Sequence, residues 1–371
     1  MSTDFNIQTV LVAPLDWGLG HATRCIPLIH ALTSTGYRVI IATDGPQEKL
    51  LSKEFPQHPF LKLPGYQIRY SRSGGWLPFK IIQQLPALLH IVQWEHRWLE
   101  QAIEQHNIDL VISDNRYGLW TNKIPCVFIT HQLTIKAPYR WLEQLIQRIN
   151  YRYINRFTQC WVPDMEADGG LAGALSHPSS KPRIPVEYLG LLTRFTGKQS
   201  GEKKGITVLL SGPEPQRTLL EEKLIEQAIQ SAQPLTLVRG LPAEAAGKEL
   251  PSFLRHYNHL ETGALEEMLL QSELVIVRSG YTSLMELMQL KVKTVLVPTP
   301  GQTEQEYLAD RLQDKNYAIR MKQELFNLSS AIEQSRLHSY RFPELTVFNV
   351  AKIKTLIAAI SNHRNSKKRG G

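Results

Sequence analysis

Leu274-Val275-Ile276-Val277 is an uninterrupted apolar run, broken at once by the turn chemistry of Arg278-Ser279-Gly280. A run with no polar side predicts a strand buried on both faces, as in a parallel sheet covered by helices. Beyond the turn, Leu284, Leu287 and Met288 recur at helical spacing, with Thr282 or Ser283 as the expected cap. Thr294-Val295-Leu296-Val297 then reads as a second buried strand. A strand, helix, parallel strand unit commits the chain to an α/β fold. Such sheets bind ligands beyond the carboxyl ends of their strands, where helix N-termini present unpaired N–H groups. The loops from Arg278 to Ser283 and from Pro298 to Gln305 emerge at that edge.

The alternation extends along the whole chain. Thr9 to Ala13, Tyr37 to Ala42, Asp109 to Ser113, Pro125 to Thr130 and Cys160 to Pro163 read as strands of one doubly wound parallel sheet. After the polar, glycine-bearing stretch from Thr193 to Gly205 a second series begins, with Ile206 to Leu210 and Leu235 to Val238 as strands and Gln216 to Ala232 as a helix. At 371 residues, two cores are expected rather than one. The expected organisation is a Rossmann-like domain over 1–193, a linker over 194–205 and a second Rossmann-like domain over 206–345. A helix from Val347 to Ile360 packs back on the first domain, and the basic tail from His363 to Gly371 is expected to lack order.

The three cysteines are far apart and in no metal-ligand spacing, so each is expected to be a small core residue of a reduced, cytoplasmic protein. The N-terminus has no signal-peptide pattern and no apolar run reaches membrane-spanning length. A net charge of +8 implies an anionic partner, for which phosphates or an acidic lipid surface are expected and nucleic acid is not. No DxD, HExxH or Walker A pattern occurs, so neither a metal nor a cofactor is expected.

Three loops carry candidate chemistry. Gly18-Leu19-Gly20 opens the first helix, but the third glycine of a dinucleotide fingerprint is replaced by Thr23. His21 follows, at the point where loop becomes helix, and a neutral imidazole there is suited to act as a general base. Asp114 and His131, each just past a strand end, open onto the same edge as second candidates. Ser211-Gly212 leaves the strand that ends at Leu210 and can bring backbone and hydroxyl donors to an anion.

These residues resemble a known pattern. Arg278-Ser279-Gly280, then Glu286, then a strand, a proline and Gln305-Glu306-Tyr307 are similar to the nucleotide-sugar site of GT-B glycosyltransferases. The closest likeness is to the family of the lipid II UDP-N-acetylglucosamine transferase and the diacylglycerol galactosyltransferases. The resemblance implies two Rossmann-like domains facing a cleft, and metal-independent, inverting transfer from a UDP-sugar to a lipid-linked or glycan acceptor. It implies contacts from Arg278, Ser279 and Gly280 to the nucleotide, from Glu286 to the ribose, and from Gln305 and Glu306 to the sugar hydroxyls; in the family the second of that pair is glutamine. Gly18-Leu19-Gly20-His21 is similar to the family's acceptor-side glycine loop, though Pro14-Leu15-Asp16-Trp17 departs from its run of glycines.

A UDP-sugar 2-epimerase, which would turn over the sugar without an acceptor, and a non-catalytic nucleotide-sugar or polyanion binder are the rival readings. An apolar stretch from Trp76 to Trp94 and a four-residue recurrence of Lys136, Arg140, Arg148, Arg152 and Arg156 suggest peripheral contact with an anionic membrane surface. A core helix with a solvated basic face explains the same pattern equally well.

Overall fold

The computed structural model describes residues 6–65, 77–137, 139–197, 202–212, 214–241 and 250–369, with the backbone alone for 77–88 and 363–369. Trp76 and the turn residue Pro213 lie outside the described residues, as do the side chains of the apolar stretch up to Leu88.

The first half contains β1 (Thr9–Pro14), α1 (Leu19–Ser34), β2 (Arg38–Thr43), α2 (Gly45–Glu54), β3 (Phe60–Lys62), α3 (Leu77–His106), β4 (Leu110–Asp114), β5 (Cys126–Ile129), α4 (Arg140–Ile154), β6 (Gln159–Val162) and β7 (Val186–Tyr188). Its strands form one parallel sheet in the order β3-β2-β1-β4-β5-β6-β7. The second half contains β8 (Ile206–Leu209), α5 (Gln216–Gln230), β9 (Leu235–Val238), β10 (Leu254–Tyr257), α6 (Thr262–Gln271), β11 (Leu274–Val277), α7 (Tyr281–Leu290), β12 (Thr294–Leu296), α8 (Thr303–Asp314), β13 (Ile319–Arg320), α9 (Leu328–Leu337) and α10 (Val350–Arg369). It forms a second parallel sheet, ordered β10-β9-β8-β11-β12-β13.

The strand order turns back between β1 and β4 in one sheet and between β8 and β11 in the other. Ligand crevices of doubly wound sheets open at such points. All four residues of β11 are buried, because β8 and β12 flank it and helices cover both faces. That is the environment its unbroken apolar run requires.

The two sheets share an apolar core that passes through α1 and α7, which pack on each other, and through Ile353, Leu356, Ile357 and Ile360 of α10. Burial of α7 is nearly all-round, taking in Tyr281, Leu284, Met285, Leu287 and Met288. One face of α8 also crosses between the halves. Thr303 Oγ1 donates to the Lys136 carbonyl at 3.1 Å, Tyr307 Oη accepts from Ala174 N at 2.8 Å, and Arg311 donates to the carbonyls of Gly170 and Leu171 at 2.8 and 3.1 Å. These residues recur at i, i+4 and i+8, which keeps them on one side of the helix.

Beyond shifts of one to three residues at element ends, among them α10 starting at Val350 rather than Val347, four readings differ from expectation. α1 starts at Leu19 rather than His21, so His21 sits inside the first turn. α7 starts at Tyr281 with Gly280 in the cap position and no side-chain cap; the Thr282 hydroxyl instead donates to the Gly20 carbonyl at 3.1 Å. Lys136 lies outside α4, which begins at Arg140, so the five basic residues do not form one helical stripe. The tail through Arg369 continues α10, since neither glycine nor proline interrupts it and basic residues suit a helix C-terminus. Among the described residues no helix is long and apolar enough to cross a membrane. All three cysteines are free and buried.

Candidate active site

On the N-terminal side the site is built where β1 hands over to α1. Gly18 adopts φ 77°, a left-handed backbone that glycine accepts without strain, and Gln47 Nε2 donates to the Asp16 and Gly18 carbonyls at 2.8 and 3.2 Å, fixing the loop. Gly20 lies so close to α7 that an added Cβ would sit 3.2 Å from Thr282 Oγ1. This sets His21 beside the end of β4, where its Nδ1 lies 2.9 Å from Asp114 Oδ2. Arg24 Nη2 lies 2.9 Å from the same nitrogen. The Asp114 carboxylate is the natural acceptor for an Nδ1 proton, and in that tautomer Nε2 carries the lone pair. Nε2 makes no hydrogen bond among the described residues.

Arg24, one turn along α1, organises the surroundings. Its side chain is 2% exposed and forks onto both oxygens of the fully buried Asp114 carboxylate, with Nε at 3.1 and 3.0 Å, while Nη1 donates to His131 Nδ1 at 3.1 Å. His131 passes the connection across the cleft, Nε2 donating to Glu304 Oε1 at 2.7 Å, and Gln132 Nε2 donates to the other Glu304 oxygen. The His131 ring stacks on Tyr281 at 4.3 Å, and Tyr281 Oη donates to the Pro163 carbonyl at 2.8 Å. His131 therefore has both nitrogens engaged, and Asp114 is spent on Arg24 and His21.

Charge and burial tune these groups differently. Burial, then the nearby Arg24 charge, lowers the His21 pKa from its ordinary value of 6.5, against the opposite pull of Asp114. Burial works to raise Asp114, but Arg24 and His21 outweigh it and hold the carboxyl below its usual value. Glu304 behaves likewise, with burial opposed and overcome by His131. At neutral pH the resting site holds a neutral His21 against an ionised Asp114.

On the C-terminal side, Arg278 is 1% exposed and turned inward, donating to the carbonyls of Val297, Pro298 and Gln216 at 3.1, 3.3 and 2.6 Å. It thereby ties together the ends of β11 and β12 and the start of α5. Burial, partly offset by Glu324, pushes its guanidinium down to about 10, so it stays charged at neutral pH. Ser279 Oγ donates to the Gln305 carbonyl at 2.7 Å. Gln305 Oε1 accepts from Thr299 N at 2.9 Å and Glu306 Oε1 accepts from Gly301 N at 3.1 Å, so both side chains hold the loop that precedes them. The acid that reaches the cleft is Glu304. Glu286 is paired with Arg194 at 2.8 Å, both nearly buried.

Gly212 adopts φ 100°, and an added Cβ there would sit 3.8 Å from Thr299 Oγ1. That hydroxyl and the Nε of Arg278 are buried without a partner among the described residues. Unpaired buried donors beside a glycine turn are what an anion-accepting loop requires. No grouping of three His, Cys, Asp or Glu side chains suited to a metal ion occurs among the described residues.

The structure thus brings His21, Asp114 and His131 into one network. Ser211, Gly212, Arg278, Ser279, Gly280 and Gln305 lie around the second crevice. Sequence reasoning missed Arg24, Gln132, Arg194, Thr299 and Glu304. Arg24 alone left a signal, its i, i+3 spacing from His21.

Residues 256–358 match the glycosyltransferase family 28 C-terminal domain. Over 327 residues the chain is 22% identical to an uncharacterized glycosyltransferase of Methanosarcina acetivorans, spanning 81% of this chain and 82% of that protein. The chain is a glycosyltransferase of the GT-B fold. The kitacinnamycin glycosyltransferase superposes with a TM-score of 0.62 at 16% identity, over 89% of this chain and 91% of that one. Glycosyltransferase VinC, solved with dTDP, superposes with a TM-score of 0.58 at 13% identity, over 96% of this chain and all of that one.

If the lowered His21 pKa governs proton uptake, turnover by the transferase falls on the acid side with a midpoint below 6.5 and is level above it. A pH profile of kcat/KM checks this, and an acid limb centred above 6.5 would contradict it.

Proposed function

We propose that this glycosyltransferase moves a sugar from a UDP-linked donor to an acceptor hydroxyl in one inverting displacement, with His21 as general base. The carrying observation is that His21, oriented by Asp114, presents an uncommitted Nε2 at the crevice of one sheet, while the unpaired donors of the Gly212–Thr299 crevice belong to the other. The acceptor O–H proton passes to Nε2 as the acceptor oxygen bonds to the anomeric carbon. The bond from that carbon to the diphosphate breaks, and its electron pair leaves with UDP. Backbone N–H groups of the Ser211-Gly212 turn, Ser279, Gly280 and the N-terminus of α7 meet the departing charge.

Arg278 contributes from behind, by fixing the loops and adding positive charge. Glu286 takes the ribose hydroxyls on the oxygen that Arg194 leaves unused. Glu304, together with Gln305 and Glu306, borders the sugar. Here Glu304 exchanges its bonds with His131 and Gln132 for donor hydroxyls, a role the expected Gln305-Glu306 pair was assigned by resemblance. Gly18 and Gly20 shape the acceptor side.

Calorimetric titration with UDP tests the donor half. One saturable site is expected, weakened by about 1–3 kcal/mol in Glu286→Ala through loss of a charge-assisted hydrogen bond. An unchanged affinity in that variant would remove the ribose role, and tighter binding of dTDP than UDP would change the base. Transfer is expected to survive EDTA, because helix ends meet the leaving charge and Arg278 adds positive charge behind them; activity restored by magnesium or manganese would contradict that.

A further inference from the structure

Helix α8 is fastened to both halves of the chain. Its first turn is tied to the second domain, where Gln305 and Glu306 hold the backbone of Thr299 and Gly301 and the Ser279 hydroxyl donates to the Gln305 carbonyl. One side of it lies along the first domain, through Thr303, Tyr307 and Arg311. Arg311 makes the most extensive of these contacts. Its Nε donates to the Leu171 carbonyl at 3.1 Å, and its Nη2 donates to the Gly169 and Gly170 carbonyls at 3.3 and 2.8 Å.

The receiving loop is shaped for this guanidinium. Its other side faces Asp164, whose fully buried carboxylate accepts from Leu171 N at 2.8 Å, Ala172 N at 3.0 Å and Ser176 Oγ at 2.6 Å. The peptide groups joining Gly170 to Leu171 and Leu171 to Ala172 therefore each give their N–H to a carboxylate and their C=O to a guanidinium. Bonds in such a chain polarise and strengthen one another. Gly170 and Gly173 have φ 57° and 59°, and a Cβ at Gly173 would lie 2.5 Å from Tyr307 Oη and 2.7 Å from Arg311 Nε. Glycine is what lets the loop come this close.

We propose that Arg311 is a positioning residue for the donor sugar. Glu304 stands two turns before it on the same face of α8, so the grip of the first domain on Arg311 sets where Glu304 enters the cleft. The inference rests on the UDP-sugar reading, in which Glu304 borders the sugar while the Gly212 turn, Arg278 and Glu286 serve the nucleotide. Recognition of the sugar is thereby tied to the pairing of the two domains, and recognition of the nucleotide is not.

The test is calorimetric titration of the wild type and Arg311→Met with UDP, UDP-glucose, UDP-galactose and UDP-N-acetylglucosamine, with hydrogen exchange on the same proteins without ligand. In Arg311→Met the UDP affinity is expected to stay at the wild-type value. The spread of affinities among the three UDP-sugars is expected to narrow about tenfold, the worth of one charge-assisted hydrogen bond out of place. Amide exchange over residues 169–172 and 303–307 should quicken. Arg311→Lys, whose ammonium still donates but lacks the fork, should recover part of the spread. Gly173→Ala, a change in the first domain, should reproduce the Arg311→Met result by displacing Tyr307 and Arg311.

Wild-type exchange in Arg311→Met, or an undiminished spread among the UDP-sugars, would overturn the proposal. So would a loss of UDP affinity as large as the loss for the sugars, which would make Arg311 a general support of the second domain. Absence of UDP binding by the wild type would instead count against the donor reading, and the exchange difference would then decide on its own whether Arg311 holds α8 in place.

Discussion

Replacing His21 by alanine is expected to lower turnover by about 10²–10⁴ while leaving donor binding nearly unchanged. The reason is positional. His21 belongs to the crevice between β1 and β4, whereas the loops assigned to the donor leave the second sheet. His21 is the ring in the network with an uncommitted nitrogen, since both nitrogens of His131 are engaged and Asp114 is fully buried. The alanine variant should also bury Asp114 with Arg24 as its remaining strong partner, an arrangement the bidentate fork can sustain. Folding is therefore expected to survive, and a kcat loss with intact UDP affinity is the signature to measure.

The second large effect is expected at Arg24. Arg24→Met removes the main partner of a carboxylate that is 0% exposed, and breaking a buried pair from one side costs about 3–5 kcal/mol. The urea midpoint should fall accordingly. The Asp114 carboxyl is held below its ordinary value by Arg24 and His21. Its contribution to stability is present above the ordinary carboxylate range and is lost as pH falls through the depressed value. Without Arg24, burial raises that value and moves the loss to higher pH. A midpoint equal to that of the wild type at neutral pH would mean that the network carries little stability.

The central strands were legible because burial on both faces leaves a short apolar run between turn signals, whose length separates it from a buried helix. Leu274 to Val277 could be bounded from its apolar run alone. His21 was legible for a similar reason, as a titratable residue directly after a glycine loop at a strand's carboxyl end. The direction of a side chain was harder to read. Glu304 and Glu306 are both acids in the first turn of α8, the ordinary preference at a helix N-terminus. They point about 200° apart around the axis. One reaches His131 across the cleft and the other returns to Gly301.

Arg278 shows the same ambiguity: an arginine in a turn reads as a ligand for phosphate, and here its Nη groups tie three carbonyls from within while Nε has no partner among the described residues. Lys136 shares a spacing of four with Arg140 but lies before Pro138, which disfavours helical backbone at Ala137 and so separates Lys136 from α4. The network of residues 21, 24, 114, 131 and 304 joins four separate elements: α1, the end of β4, the loop after β5 and the first turn of α8. Sequence spacing relates only the first two, so only the folded topology could assemble the rest.

The most direct measurement is turnover by His21→Asn alongside His21→Ala, each with a UDP binding isotherm. Asparagine keeps a polar group that can bond to Asp114 and the helix end but cannot take a proton at neutral pH. With His21 as the base, both variants bind UDP like the wild type and both lose about 10²–10⁴ in turnover. Near wild-type turnover by His21→Asn would contradict that role and leave His21 as an orienting residue only.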